Sequence, residues 1–114
     1  MQIKKTVEVK ASPVDMEGAE GVRIRWLIGP DDKAPNFYMR QFTLEPGGHT
    51  PLHTHEWEHE VYVLDGAGVV VTARGERPVE SGSCVLVESN DEHQFRNTGS
   101  EEMTFLCMIP TSGK

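Results

Sequence analysis

Apolar residues in this chain recur mostly at every second position, in short runs broken by turn residues. That is the period of a half-buried strand, not of a helix. Thr6–Val9 and Val22–Ile28 alternate in part, and Phe37–Leu44 follows and closes on Glu45-Pro46-Gly47-Gly48, which reads as a turn. His59–Leu64 and Val69–Ala73 flank Asp65-Gly66 and predict a hairpin with a short glycine-containing loop. Gly75-Glu76-Arg77-Pro78 reads as another turn, followed by strands at Cys84–Val87, His93–Asn97 and Met103–Ile109, with Pro110 ending the last register. Val14–Gly21 lacks alternation, carries two glycines and reads as a loop or a single turn. Nine or ten short strands at roughly 8–12-residue spacing predict an all-β sandwich or barrel. With no repeat, low-complexity tract or linker, residues 1–114 read as a single domain.

Composition narrows the partners. Eleven Lys and Arg against 18 Asp and Glu give a net charge of −7. A chain this acidic lacks the positive field that nucleic acid or an anionic membrane surface requires, so neither is an expected partner. No apolar run is long enough for a transmembrane helix. The segment Met1–Glu8 has no apolar core of a secretory signal, which makes a cytoplasmic location the expectation. In that compartment the two cysteines, Cys84 and Cys107, are expected to be free thiols.

The histidines carry the chemistry. Five in 114 residues would place about half a histidine in an eleven-residue window, yet His49, His53, His55 and His59 all fall in one. His53 and His55 are two apart and share one face of an extended segment. His59 has the same parity, beyond a stretch long enough for the chain to turn into the next strand. His93 joins them only if the sheet closes. Neutral imidazoles suit Mn, Fe, Ni, Cu or Zn. His49 has no partner in this pattern and reads as a surface residue.

These residues resemble the cupin superfamily. Its first motif runs glycine, five residues, His-x-His, three or four residues, Glu, six residues, glycine; Gly47, His53, His55 and Gly66 fill it, with His59 in the acidic place. Its second runs glycine, five residues, proline, one residue, glycine, two residues, His, three residues, Asn. Gly82, His93 and Asn97 fit, while Glu88 and Asn90 replace the proline and the turn glycine. Fifteen residues, Ala67–Ser81, separate the motifs. A four-residue gap would make Glu60 the ligand instead; parity with Val61 and Val63 favours His59. The resemblance implies a small jelly-roll β-barrel with its core at about residues 37–110 and N-terminal strands within 1–28 used for dimerisation. Phe37-Tyr38-Met39-Arg40, Trp57-Glu58-His59-Glu60 and Phe105–Pro110 also look like the small bacterial manganese cupins.

That likeness implies one divalent metal on His53, His55, His59 and His93, with Mn(II) or Fe(II) foremost and Zn, Ni or Cu as alternatives. Four neutral ligands leave the full charge on the ion and favour an anionic oxygen donor in the remaining positions. The implied activity is dioxygenase-like oxidation or cleavage of a small oxygenated substrate with O2. The alternatives are a metal-dependent isomerase or lyase, and a non-catalytic binding module. Parity places Phe105, Cys107 and Ile109 on one face of the last strand. If that face is interior, they form a substrate pocket with Phe95 and Met39, the alternative being ordinary barrel core. Arg40 facing inward would pair with an anionic substrate; facing outward it is a surface arginine. Trp26 and Trp57 read as packing residues at an interface. One carboxylate among Glu56, Glu58 and Glu60 is expected to orient a histidine N–H, and a homodimer is expected.

Overall fold

The last strand sets the architecture. In Met103–Pro110, Met103, Phe105, Cys107 and Ile109 are buried and alternate with half-buried neighbours, so one face of the strand forms the floor of the core. The computed structural model describes residues 1–113 and contains nine strands. They are β1 (Ser12–Pro13), β2 (Glu20–Ile28), β3 (Phe37–His49), β4 (His59–Asp65), β5 (Ala67–Thr72), β6 (Gly75–Glu80), β7 (Cys84–Val87), β8 (His93–Arg96) and β9 (Met103–Pro110). Three single 3₁₀ turns, Thr6–Glu8, Pro30–Asp32 and Thr111–Gly113, complete the elements among the described residues. All pairings are antiparallel, in the order β6-β5-β8-β3-β9-β4-β7, with β2 also on β3 and β1 on β2. The sheet curls into the small all-β jelly-roll barrel expected from the sequence.

β3 joins the two halves. Phe37–Leu44 pairs with Met103–Pro110, whereas His49, at the far end, pairs with Arg96 of β8. Between them lies Glu45-Pro46-Gly47-Gly48, which does not end the strand as its composition suggests. Gly47 (φ 81°) bends the chain while its N–H reaches the Asn97 carbonyl at 3.1 Å, and the Asn97 N–H reaches the Gly48 carbonyl at 2.9 Å. The glycines serve a bend within a strand, because partners on both sides keep it hydrogen-bonded.

Three further expectations change. Thr6–Glu8 is a 3₁₀ turn, not a strand: the Glu8 carboxylate accepts from the Lys5 N–H, and Arg25 takes the Thr6 and Val9 carbonyls that a neighbouring strand would have used. Asp65-Gly66 does not close a hairpin. β4 pairs with β7 and β9, while β5 pairs with β6 and β8, so at Gly66 the chain crosses from one half of the sheet to the other. Gly66 sits at φ 85°, where a Cβ would stand 2.6 Å from the Glu102 carbonyl oxygen and 2.8 Å from Met103 Cα. Gly75–Glu80 is strand β6, with its turn two residues earlier, where Thr72 Oγ1 donates to the Gly75 carbonyl. Pro78 is tolerated because β6 lies at the end of the sheet path.

The core gathers Leu44, Val61, Val63, Phe95, Met103 and Phe105. Phe105 stacks on Phe42 and Phe95 with ring centroids 5.4 and 4.8 Å away. Asn97 is buried there, its amide donating to the Leu44 and Glu101 carbonyls and its oxygen accepting from the Gly99 N–H. Cys84 is exposed and Cys107 buried, both free.

Candidate metal centre

His53 and His93 face each other across a two-stranded bridge. The His53 N–H donates to the His93 carbonyl at 3.2 Å and the reverse bond is 3.1 Å. His55 follows on the same side of its segment, fixed by the Asn90 N–H donating to its carbonyl at 2.8 Å. Asn90 holds a left-handed conformation (φ 65°), which asparagine tolerates better than most residues. This is how the chain dispenses with a glycine in that turn. His59 opens β4 opposite Val87.

The four rings converge. Centroid separations are 5.1 Å for His53–His55, 4.8 Å for His53–His93, 4.3 Å for His55–His59 and 5.3 Å for His59–His93. Ring nitrogens of His53, His55 and His93 lie within 4.8 Å of one another, so these three could hold a metal ion. His49 lies apart, with its Nε2 3.6 Å from the Glu20 carboxylate. Glu60 is exposed on the other side of β4 from His59.

Hydrogen bonds fix which nitrogen faces inward. His55 Nδ1 lies 2.8 Å from the Trp57 carbonyl and His93 Nδ1 lies 2.8 Å from the Asp91 carbonyl. A carbonyl only accepts, so each Nδ1 carries the proton and each Nε2 keeps its lone pair. The orienting groups are thus backbone carbonyls; Glu56, Glu58 and Glu60 are all exposed and none of them holds a histidine. His59 Nδ1 lies 3.2 Å from Cys107 Sγ. The Nε2 atoms of His55, His59 and His93 are buried without a partner. Buried polar atoms are seldom left so, and the Nε2 lone pairs of His55 and His93 beside the ring nitrogens of His53 are the donors that a transition-metal site uses. The residues present therefore fit the ion that the histidine pattern implies.

Burial disfavours the charged form of His53, His55 and His59. Burial lowers the pKa of His53 to about 4, with help from His93, His55 and Arg40. Burial lowers His59 further, to about 2, assisted by the Arg40 charge, and lowers His55 as well. Burial pushes the Cys107 thiol up, against the Arg40 charge.

Beside the histidines lies a cavity of about 90 Å³ bounded by Arg40, Phe42, His53, His59, His93 and Phe105. Phe95 and Cys107 also reach it. Met39 and Ile109 do not. Met39 has the opposite parity to Arg40 and lines an outer depression with Ile28, and Ile109 is buried core. Phe42, two residues from Arg40, is a wall residue that the same parity could have identified. Val14 and Met16 also border the cavity, and nothing in their sequence signals it. Trp57, read from the sequence as a packing residue at an interface, packs within the chain on a histidine. Its indole stacks on His55 at 4.4 Å and 1° between planes, and His55 stacks on His59 at 11°. Trp26 packs edge-on against Tyr38 at 5.9 Å and beneath the Arg40 guanidinium at 5.5 Å.

The chain is similar over most of its length to proteins of differing activity. The polyketide cyclase RemF from Streptomyces resistomycificus superposes with a TM-score of 0.92 at 33% identity, covering 97% of this chain and 80% of that one. An oxalate-binding protein of Thermotoga maritima is 36% identical over 100 residues, 83% of this chain and 81% of that one. A 1-methylthio-D-xylulose 5-phosphate methylsulfurylase of Rhodospirillum rubrum is 35% identical over 71 residues, 62% of this chain, which spans only 46% of that relative. Cyclisation, oxalate binding and sulfur-group chemistry on one scaffold mean that likeness alone does not fix a reaction. What it does fix is descent: the Cupin_2 model, the cupin domain, matches residues 40–109, and this chain belongs to the cupin domain family.

Proposed function

We propose that this protein is a mononuclear metal-dependent oxidoreductase that oxidises or cleaves a small oxygenated substrate with O2. Its ligands are His53, His55, His59 and His93, and its ion is Mn(II) or Fe(II). The observation that carries the reading is the gathering of His53, His55 and His93, whose ring nitrogens lie within 4.8 Å of one another, with the His59 ring stacked on His55 at 4.3 Å. A bound ion supplies a Lewis acid that polarises substrate oxygen and, being redox-active, a route for electrons to O2. The chain supplies the rest. The Trp57 and Asp91 carbonyls hold two imidazoles in the ligating tautomer. Burial keeps His53 and His59 unprotonated near neutral pH. The Phe42 and Phe105 rings wall the substrate from bulk water. A second reading, ligand binding without turnover, is favoured by the likeness to the Thermotoga oxalate-binding protein. Elemental analysis of untagged protein never exposed to chelator decides first, followed by an O2-uptake screen with enolisable compounds. About one Mn or Fe per chain with O2 consumption supports the oxidoreductase; metal without turnover supports the binder. His53→Ala and His93→Ala should each lose the metal and His49→Ala should keep it; equal loss in all three would refute the ligand assignment.

The reading includes a homodimer. Three adjoining depressions form one trough on the outer surface, linked through Ile28, Ala34 and Met39 at one junction and through Phe37 and Met108 at the other. Lys4, Lys5 and Lys33 stand at one end with Asp32, which pairs with Lys4 at 2.7 Å and leaves that end net basic, Glu58 and Glu60 stand at the other, and Phe37 projects between them at 69% exposure. A two-fold axis would set each basic end on its partner's acidic end, so the patch is complementary to itself. A second copy of this chain is its occupant.

A further inference from the structure

Arg40 is a cation without a counter-ion. No carboxylate pairs with it among the described residues, although Arg23, Arg96 and Lys4 all have one. Its guanidinium lies over Phe42 at 5.0 Å and Trp26 at 5.5 Å, its Nη2 donates to Cys107 Sγ at 2.9 Å, and its Nε is buried with no partner. A half-buried, underpaired guanidinium is costly unless something else completes it. The cavity wall offers no candidate, for its twelve residues include no Asp and no Glu. In a chain of net charge −7, this recess beside His53, His59 and His93 is therefore lined only by neutral and cationic groups.

The shape of the recess limits its occupant further. Phe42 and Phe95 each stack on Phe105, and the Arg40 guanidinium lies over the Phe42 ring at 5.0 Å, so apolar ring surface and a cation border the same recess. The volume of about 90 Å³ is roughly three waters' share of liquid. A flat organic molecule of a few carbons fills such a space, apolar edge to the rings and charged oxygen to the guanidinium. We infer that the site takes a small planar organic oxyanion, a carboxylate or an enolate, and that Arg40 selects it by its charge. This inference rests on the metal-centre reading above and specifies its substrate class. Cys107 holds the guanidinium in place from beneath, through the same sulfur that lies 3.2 Å from His59 Nδ1. One sulfur thus links the guanidinium to the His59 ring.

The test uses the full chain loaded with Co(II), whose visible absorption reports both metal uptake and ligand entry. Crotonate, its neutral isostere crotonamide, and acetylacetonate are titrated in turn, the first and last separating carboxylate from enolate. Wild type should bind at least one of the two anions about tenfold or more tighter than crotonamide, the scale of a charge-assisted pair. Arg40→Gln should keep its Co(II) stoichiometry and lose that preference. Arg40→Lys, which keeps the charge but not the planar fork, should fall between them and controls for any packing defect in Arg40→Gln. Co(II) uptake with equal affinity for anion and amide, or a preference that survives in Arg40→Gln, overturns the inference. Absence of Co(II) uptake by wild type overturns the metal reading instead. The same titrations, followed by amide chemical shifts on the metal-free chain, then decide the anion question alone: an Arg40-dependent preference supports it and none refutes it.

Discussion

At the scale of single residues, the burial of His53, His55 and His59 disfavours their protonated forms. That has a pH consequence. An unfolded histidine titrates near 6.5, whereas His53 in the fold titrates at about 4 and His59 lower still. Below 6.5 the unfolded chain takes up protons that the folded chain refuses, so stability rises with pH through this window. The metal-free protein should hold a constant melting temperature above 6.5 and lose it steadily as pH falls toward 4; melts showing no change across that range would contradict the burial of these rings. Asn97 makes a different point. It is the last residue of the second family motif, yet its side chain ties Leu44, Glu101 and Gly99 together and touches no histidine. Asn97→Ala leaves buried carbonyls without donors and should cost about 1–3 kcal/mol in denaturant unfolding. Its metal content should be unchanged in the protein that folds.

At the scale of elements, period-2 alternation made most strands legible, and the parity of His53, His55 and His59 carried over to one interior. What stayed hidden was pairing. Asp65-Gly66 looks like a hairpin turn because turn chemistry is local, whereas its true role, passing the chain from one half of the sheet to the other, brings Gly66 close against Met103. Gly66→Ala should therefore be costly: about 1–2 kcal/mol for the left-handed backbone alone, before any displacement of β9. Equilibrium unfolding of that variant, with Gly75→Ala as an open-space control, measures the difference. The role of Trp57 was illegible for the same reason, since nothing in its neighbours says that it will lie flat on His55. Met39 and Arg40 are adjacent and point to opposite faces of β3, so only one of them could line the pocket. β9 carries apolar residues on both faces, and its inner face holds Phe105. Phe105→Ala should lose about 3–5 kcal/mol, by removing the ring that Phe42 and Phe95 both rest upon.

At the scale of the whole molecule, the outer surface of β9 and its neighbours is the part that a lone barrel leaves wet. Met39, Leu106 and Met108 are half-buried, while Phe37, Tyr62, Leu64 and Leu86 are 40–69% exposed. Exposed apolar patches of this kind mark sites of protein association. Light scattering should find two chains per particle at micromolar concentration, and Phe37→Glu should give one; a wild-type monomer would rule out the trough as a self-interface. The placement of the two tryptophans also makes the molecule its own optical probe. One indole lies under Arg40 and the other is stacked on His55, so they flank the recess from its anion side and its metal side. The intrinsic emission of the unlabelled protein then has two separable components. An open-shell ion arriving among the histidines quenches Trp57, a closed-shell one leaves it bright, and an anion drawn to the guanidinium shifts Trp26.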